Sequence, residues 1–146
     1  MKILILNGPN LNMLGVRNQS VYGFLTLEKI ENRLESIAKE NNAEIVFFQS
    51  NHEGSLIDFI QKNSADAHGI LINPGALTHY GYSLRDGLVD SKLPVVEVHL
   101  SNILQREEFR KVDVLKDIVI KVVMGKKEKS YEEGLVYLLK YLKKSP

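Results

Sequence analysis

Five short apolar runs, each separated from the next by a stretch containing a helical pattern, constrain this chain more than any other feature. Lys2-Ile-Leu-Ile-Leu6, Glu44-Ile-Val-Phe-Phe-Gln49, Gly69-Ile-Leu-Ile-Asn73, Pro94-Val-Val-Glu-Val-His-Leu100 and Asp117 to Met124 read as buried strands. Pro94 opens its run, the one place where a strand tolerates proline. Leu27, Ile30, Leu34, Ile37 and Ala38 share one helix face, with Thr26 as the N-cap and Asn41-Asn42 closing the helix. Leu56, Ile57 and Ile60 predict a short helix ending near Asn63. Another helix follows His79 and runs to about Ser91. A last one covers Tyr131 to Leu142, with Leu135, Leu138, Leu139 and Leu142 facing inward.

Strands that alternate with helices predict a parallel sheet with helices on both faces and right-handed crossovers. Five strands predict the flavodoxin-like α/β fold with order 2-1-3-4-5. The 146 residues fit a single domain, 1–146, large enough to bury a core. In that order strands 1 and 3 are neighbours whose connections leave in opposite directions, so a crevice opens at their C-terminal ends. The loops after Asn7, Asn73 and His99 all emerge there. The first of them, Asn7 to Gly23, has no periodicity and is long for a compact domain, yet it is not disordered in composition. It reads as an active-site loop and lid.

Composition mostly excludes. A net charge of +1 offers no electrostatic reason to expect nucleic acid or membrane as a partner. With no cysteine, disulfides, thiol catalysis and cysteine-ligated metals are ruled out. No run approaches the roughly 18 apolar residues of a membrane span, and no signal-peptide core opens the chain, so a cytoplasmic location is expected. Neither a Gly-x-Gly-x-x-Gly nor a phosphate-binding P-loop is present, and two His without a third ligand nearby are weak support for a metal.

The polar residues gathered on the crevice edge include Asn10, Arg17, Tyr22, Asn73, His79, Glu97, His99, Ser101, Arg106 and Arg110. Amides, histidines and arginines with one loop tyrosine suit the binding of a polar anion and the movement of protons. Each also admits a structural reading. Tyr22 before Gly23 is the pattern of a loop anchor, Arg17 of a surface charge, and His99 of a strand-end histidine. His79 could open a helix, and Asn10 and Asn73 could cap turns. Arg106 and Arg110 flank Glu107 and Glu108 and could form solvated ion pairs with them, Arg110 at the helical spacing of three from Glu107. His52 and His68 read as structural.

The motifs in order settle the choice between these readings. Asn7-Gly-Pro-Asn-Leu-Asn12, Arg17 with Val21-Tyr-Gly23, Gln49-Ser-Asn-His-Glu-Gly54, Ile72-Asn-Pro-Gly-Ala76 with Thr78-His79, Leu84-Arg-Asp86, and Val96-Glu-Val-His-Leu-Ser-Asn-Ile103 with Arg106-Glu-Glu-Phe-Arg110 resemble type II 3-dehydroquinate dehydratase. The resemblance implies a flavodoxin-like enzyme of the shikimate and quinate pathways that takes 3-dehydroquinate to 3-dehydroshikimate. It implies no metal or cofactor, and a homo-oligomer, a dodecamer built from trimers. By resemblance Tyr22 is the base that removes a proton from carbon 2 in an anti elimination. An ordinary phenol is ionised to only about one part in a thousand at neutral pH, and Arg17 is the cation that makes the ionised form accessible. Asn10 holds a water against the enolate oxygen. His99 is the acid for the leaving hydroxyl, and Glu97, on the same strand face, orients it. Asn73, His79 and Arg110 bind substrate hydroxyls, backbone N–H groups at Leu100 and Ser101 take the carboxylate, and Asp86 reaches a neighbouring subunit's site. The reading that competes with catalysis is a flavodoxin-like module binding a small anion or a flavin, which would want a Ser/Thr/Gly-rich loop after strand 1.

Four departures from the family pattern stand out. Asn18 replaces a usual Glu. Leu77 and Tyr80, at positions expected close to substrate, replace a common aromatic residue and a Thr. Lys111-Val-Asp-Val-Leu-Lys-Asp117 replaces a Ser- and Gly-rich segment.

Overall fold

A computed structural model describes residues 1–145. Five parallel strands, β1 (Lys2–Asn7), β2 (Glu44–Gln49), β3 (Gly69–Asn73), β4 (Val95–His99) and β5 (Lys121–Met124), form one sheet in the order β2-β1-β3-β4-β5. Around it lie a single turn α1 (Gln19–Tyr22), then α2 (Leu27–Glu40), α3 (Glu53–Asn63), α4 (Tyr82–Ser91) and α5 (Lys129–Lys144). The predicted fold and strand order are those observed.

Alternation along the strands divides the core in two. Ile3, Ile5, Leu71, Val96 and Val98 point to one face, where Ile30 and Leu34 of α2 and Leu135 and Leu138 of α5 cover them. Leu4, Leu6, Ile70, Ile72 and Val95 point to the other face, under Leu56 and Ile60 of α3 and Leu84 and Leu88 of α4. Burial on both faces is why these strands read as continuous apolar runs rather than alternating ones. Thr26 caps α2 as expected, its hydroxyl accepting the Lys29 N–H at 3.3 Å.

Two segments differ from expectation. The fifth strand begins at Lys121, not Asp117. Val96 is the partner of Lys121, and Ile120 N–H reaches Val95 O at 2.8 Å, so β4 has no backbone left to pair with residues 117–119. Ile118 and Val119 instead pack sideways onto the α3–α4 core, with Val114 and Leu115. Arg85 of α4 pins that segment, donating to Val114 O at 2.7 Å and to the Asp117 carboxylate. A short apolar run is ambiguous until its partner is known. The last helix is two residues longer at each end than Tyr131 to Leu142, ordinary fraying of a boundary.

The Asn7 to Gly23 stretch is ordered, with Asn7 closing β1, a 3-10 turn at Leu11–Met13, and α1. Leu11 and Leu14 anchor it in the core. Its base lies backbone to backbone against the loop after β3. A Cβ on Gly8 would sit 2.3 Å from Pro74 O, and Gly75, at φ +60, would put one 2.9 Å from Pro9 O. Those two glycines let the β1 and β3 loops close on each other beside the crevice.

Candidate active site

One cavity opens at the C-terminal edge of the sheet, where β1, β3 and β4 end. Asn10, Arg17 and Tyr22 line it from the first loop, Asn73 and His79 from the end of β3, and His99, Leu100 and Ser101 from the end of β4. Arg106 and Arg110 close it from the segment that follows. Of the residues given a catalytic or binding role from sequence, Glu97 and Asp86 lie outside its lining. Glu97 is fully buried directly behind His99, and Asp86 is exposed on α4. Leu77 and Tyr80 do not line the cavity either, contrary to expectation. Leu77 is buried in the α3–α4 core and Tyr80 is 59% exposed.

Tyr22 is held by two cations. Arg17 lies over its ring, 4.1 Å from guanidinium carbon to ring centroid, and donates Nη2–H to the phenolic oxygen at 3.2 Å. Arg106 donates to the same oxygen at 2.9 Å, and to Ser101 Oγ at 3.3 Å. A phenolic oxygen that accepts two charged N–H groups is poised to carry negative charge. In the sequence Arg106 has only a place on the crevice edge, with an ion pair to the adjacent acids as its alternative. The contact with Glu107 exists but is long, at 3.9 Å. Arg110 does pair with Glu107, at 2.6 Å, while still facing the cavity. Asn18, the first departure, opens α1. Its carbonyl accepts the Tyr22 N–H at 3.0 Å and its side chain the Ser20 hydroxyl at 2.7 Å, so the turn carrying Tyr22 forms without the usual Glu.

His99 and Glu97 alternate to the same side of β4, and His99 Nε2 lies 2.6 Å from Glu97 Oε1. That bond fixes the ring and leaves Nδ1 as its other working atom. Thr78 Oγ1 donates to the same Glu97 oxygen. His79 is fixed too. Its Nδ1–H donates to Val112 O at 2.6 Å, leaving Nε2 as an acceptor. Burial, and then the nearby Arg110 and His99 charges, hold His79 below the ordinary histidine range. A neutral ring accepting at Nε2 is suited to a substrate hydroxyl.

The amides are placed by groups with no visible role in sequence. Asn73 Nδ2 donates to Tyr131 Oη at 2.9 Å and Asn73 Oδ1 takes the Gly75 N–H at 3.1 Å, while Tyr131 donates to Asn7 Oδ1 at 2.6 Å. Burial pushes the Tyr131 phenol above its usual range, so it remains a donor. Asn10 sits in the left-handed region at φ 69, its N–H on Asn51 Oδ1 at 2.9 Å. Gln49 reaches both that oxygen and Gly8 O, each at 3.2 Å. The Gln49-Ser-Asn51 motif is thus a brace under the loop. Replacing Tyr131 by Phe is expected to cost about 1–3 kcal/mol, because the Asn7 carbonyl and the Asn73 amide would be left buried and unpaired. A urea midpoint that falls at unchanged slope checks this, and a loss below about 0.5 kcal/mol would refute it.

Comparison with known proteins supplies the remaining constraint. The chain matches the family described as Dehydroquinase class II over residues 1–139. It is 50% identical over 143 residues to a 3-dehydroquinate dehydratase of Prochlorococcus marinus (strain MIT 9515), covering 98% of each chain. It is also 50% identical over 144 residues to the enzyme of that name from Carboxydothermus hydrogenoformans (strain ATCC BAA-161 / DSM 6008 / Z-2901), covering 99% of this chain and 94% of the relative. Among solved structures, the type II dehydroquinase of Butyrivibrio crossotus DSM 2876 superposes with a TM-score of 0.91 at 42% identity, over 94% of this chain and 97% of that one.

Proposed function

The chain belongs to the class II dehydroquinase family and is a hydro-lyase that converts 3-dehydroquinate to 3-dehydroshikimate, and from this we propose which residues do the chemistry. Tyr22, as its phenolate, takes the proton from carbon 2, and the electron pair moves into the adjacent ketone to give an enolate. Arg17 and Arg106 hold the negative charge on the phenolic oxygen before the transfer. Asn10 positions a water that donates to the enolate oxygen, a contact that strengthens as charge develops there. The enolate then collapses, the carbon 1–oxygen bond breaks, and His99 gives its proton to the departing hydroxyl, which leaves as water. Glu97 keeps the His99 ring oriented. Tyr22 has gained a proton and His99 lost one, so the enzyme resets by returning one proton and taking up another.

Asn73, His79 and Arg110 bind the substrate hydroxyls, and the turn at Leu100 and Ser101 takes its carboxylate. Asp86, exposed on α4, completes the site of a neighbouring subunit in a dodecamer of trimers, and the enzyme works in the cytoplasm within the shikimate pathway. The observation that carries this reading is the Tyr22 oxygen receiving two guanidinium N–H bonds in the same cavity as a histidine backed by a buried carboxylate. The test is to mix the purified protein with 3-dehydroquinate and follow the ultraviolet absorbance of the conjugated enone, with and without borohydride pretreatment. Equal rates are expected, since an enolate route forms no imine for borohydride to reduce. Inactivation by borohydride in the presence of substrate would place a lysine in the mechanism and overturn the assignment to Tyr22.

A further inference from the structure

Behind His99 the structure holds a second carboxyl group that the mechanism above does not use. Asp113 lies in the segment after Arg110, half-buried, with Oδ1 3.1 Å from Thr78 Oγ1 and accepting the Leu115 N–H at 2.9 Å. Thr78 Oγ1 also contacts Glu97 Oε1. A hydroxyl has one hydrogen, so Thr78 cannot donate to both carboxylates at once. Asp113 also lies within hydrogen-bonding reach of Glu97 itself, whose Oε2 is buried with no partner among the described residues. The cluster is therefore short of one hydrogen as long as both acids are ionised. A proton on Asp113 supplies it, donated to Thr78, which then gives its own hydrogen to Glu97, or to Glu97 directly.

We propose that Glu97 and Asp113 form a proton-sharing carboxyl pair that sets the charge behind His99, making Asp113 a positioning residue that extends the pH range over which the general acid stays loaded. The inference rests on His99 being that acid. Burial first, and the Glu97 charge second, push the Asp113 carboxyl up to about 6. The other charged groups around the cluster do not replace it. His79 is held neutral, Arg110 is paired with Glu107, Arg85 with Asp117, and Lys111 with Glu108. Lys116 is exposed on the same segment.

The sign follows from the charge. Below about 6 Asp113 is protonated and the pair carries one negative charge; above it, the pair carries two. The second charge favours the imidazolium form of His99, so the proton the reaction needs is kept to higher pH. A pH profile therefore reports the coupled set rather than one residue.

Two measurements test this, on Asp113→Asn and on Asp113→Ser, both small polar replacements that bring a donor but no charge. The first is infrared spectroscopy in heavy water. The wild type is expected to show the carbonyl band of a protonated carboxyl that titrates near about 6 and is missing in both variants. Glu31, also pushed up by burial, contributes equally to all three proteins and cancels in the difference. The second is the pH profile of kcat. The profiles are expected to converge on the acid side, and the alkaline limb of each variant to fall earlier by about one pH unit or more. A uniform drop at every pH, with no displaced limb, is what a merely structural Asp113 would give and would overturn the proposal. So would the same infrared spectrum in the wild type and both variants. Full turnover by His99→Ala would instead sink the assignment of the general acid, with the infrared band still deciding the carboxyl pair.

Discussion

Tyr22→Phe is expected to lower kcat by roughly 10²–10⁴-fold, the usual contribution of a positioned general base, with KM for 3-dehydroquinate changed little. The substitution removes only the phenolic oxygen. The ring keeps its place under Arg17, whose guanidinium lies 4.1 Å from the ring centroid. Arg17 and Arg106 lose an acceptor but are only partly buried, so water replaces it and stability should move by no more than about 1 kcal/mol. That combination separates chemistry from folding. Circular dichroism and a urea midpoint close to wild type, with substrate still seen to bind by calorimetry, identify the loss as catalytic. Activity within tenfold of wild type would remove Tyr22 from the role of base.

Arg106→Ala is expected to have the next largest effect, a drop of roughly 10–10³-fold at neutral pH that shrinks as the pH is raised. The reason is electrostatic. Losing a charged hydrogen bond to the phenolic oxygen typically costs about 1.5–3 kcal/mol, and alkaline solution supplies the phenolate that the missing cation no longer favours. Arg106 makes the shorter of the two contacts to the phenolic oxygen, 2.9 Å against 3.2 Å for Arg17. It also ties Tyr22 to Ser101, where the substrate carboxylate is proposed to bind, so KM should rise as well. Arg106→Lys should recover only part of the rate, because a compact, strongly hydrated ammonium on a flexible stem replaces the planar guanidinium whose Nη1 donates to both oxygens. Arg17→Ala should show the same recovery at alkaline pH with a smaller drop. Since both cations act on one oxygen, the double variant should deviate from the product of the single effects. A pH profile of Arg106→Ala parallel to wild type would mean that its contact with Tyr22 is structural.

Both predictions turn on contacts of different legibility. Arg17 and Tyr22 are five residues apart on one loop, but read alone they are a surface charge and a loop anchor, and their partnership is what the family resemblance implies. Arg106 is 84 residues from Tyr22 in sequence, and its adjacent acids suggest nothing beyond a local ion pair. Tyr131 is 124 residues from Asn7, and in the sequence it marks only the start of the last helix. Asp113 appeared only as part of an altered segment, because nothing in the chain nearby signals that the segment folds under Thr78 and Glu97.

What the chain determined by itself was the architecture and the edge on which the chemistry sits. Strand-length apolar runs, helical spacing and the Thr26 cap are local signals, each written within a few residues, and a parallel βαβ chain has few ways to arrange them. The placement of Tyr22, Asn73, His79 and His99 around one cavity followed, because every β-to-α loop leaves the same edge of the sheet. Tertiary structure decided the rest. It started β5 only at Lys121, because β4 offers no partner to residues 117–119, and it buried Leu77 rather than turning it to the cavity. It also brought Arg106, Tyr131 and Asp113 to oxygens far away in the chain. Such contacts depend on where a loop lands once the core has closed, and the residues that make them carry no periodicity to announce it.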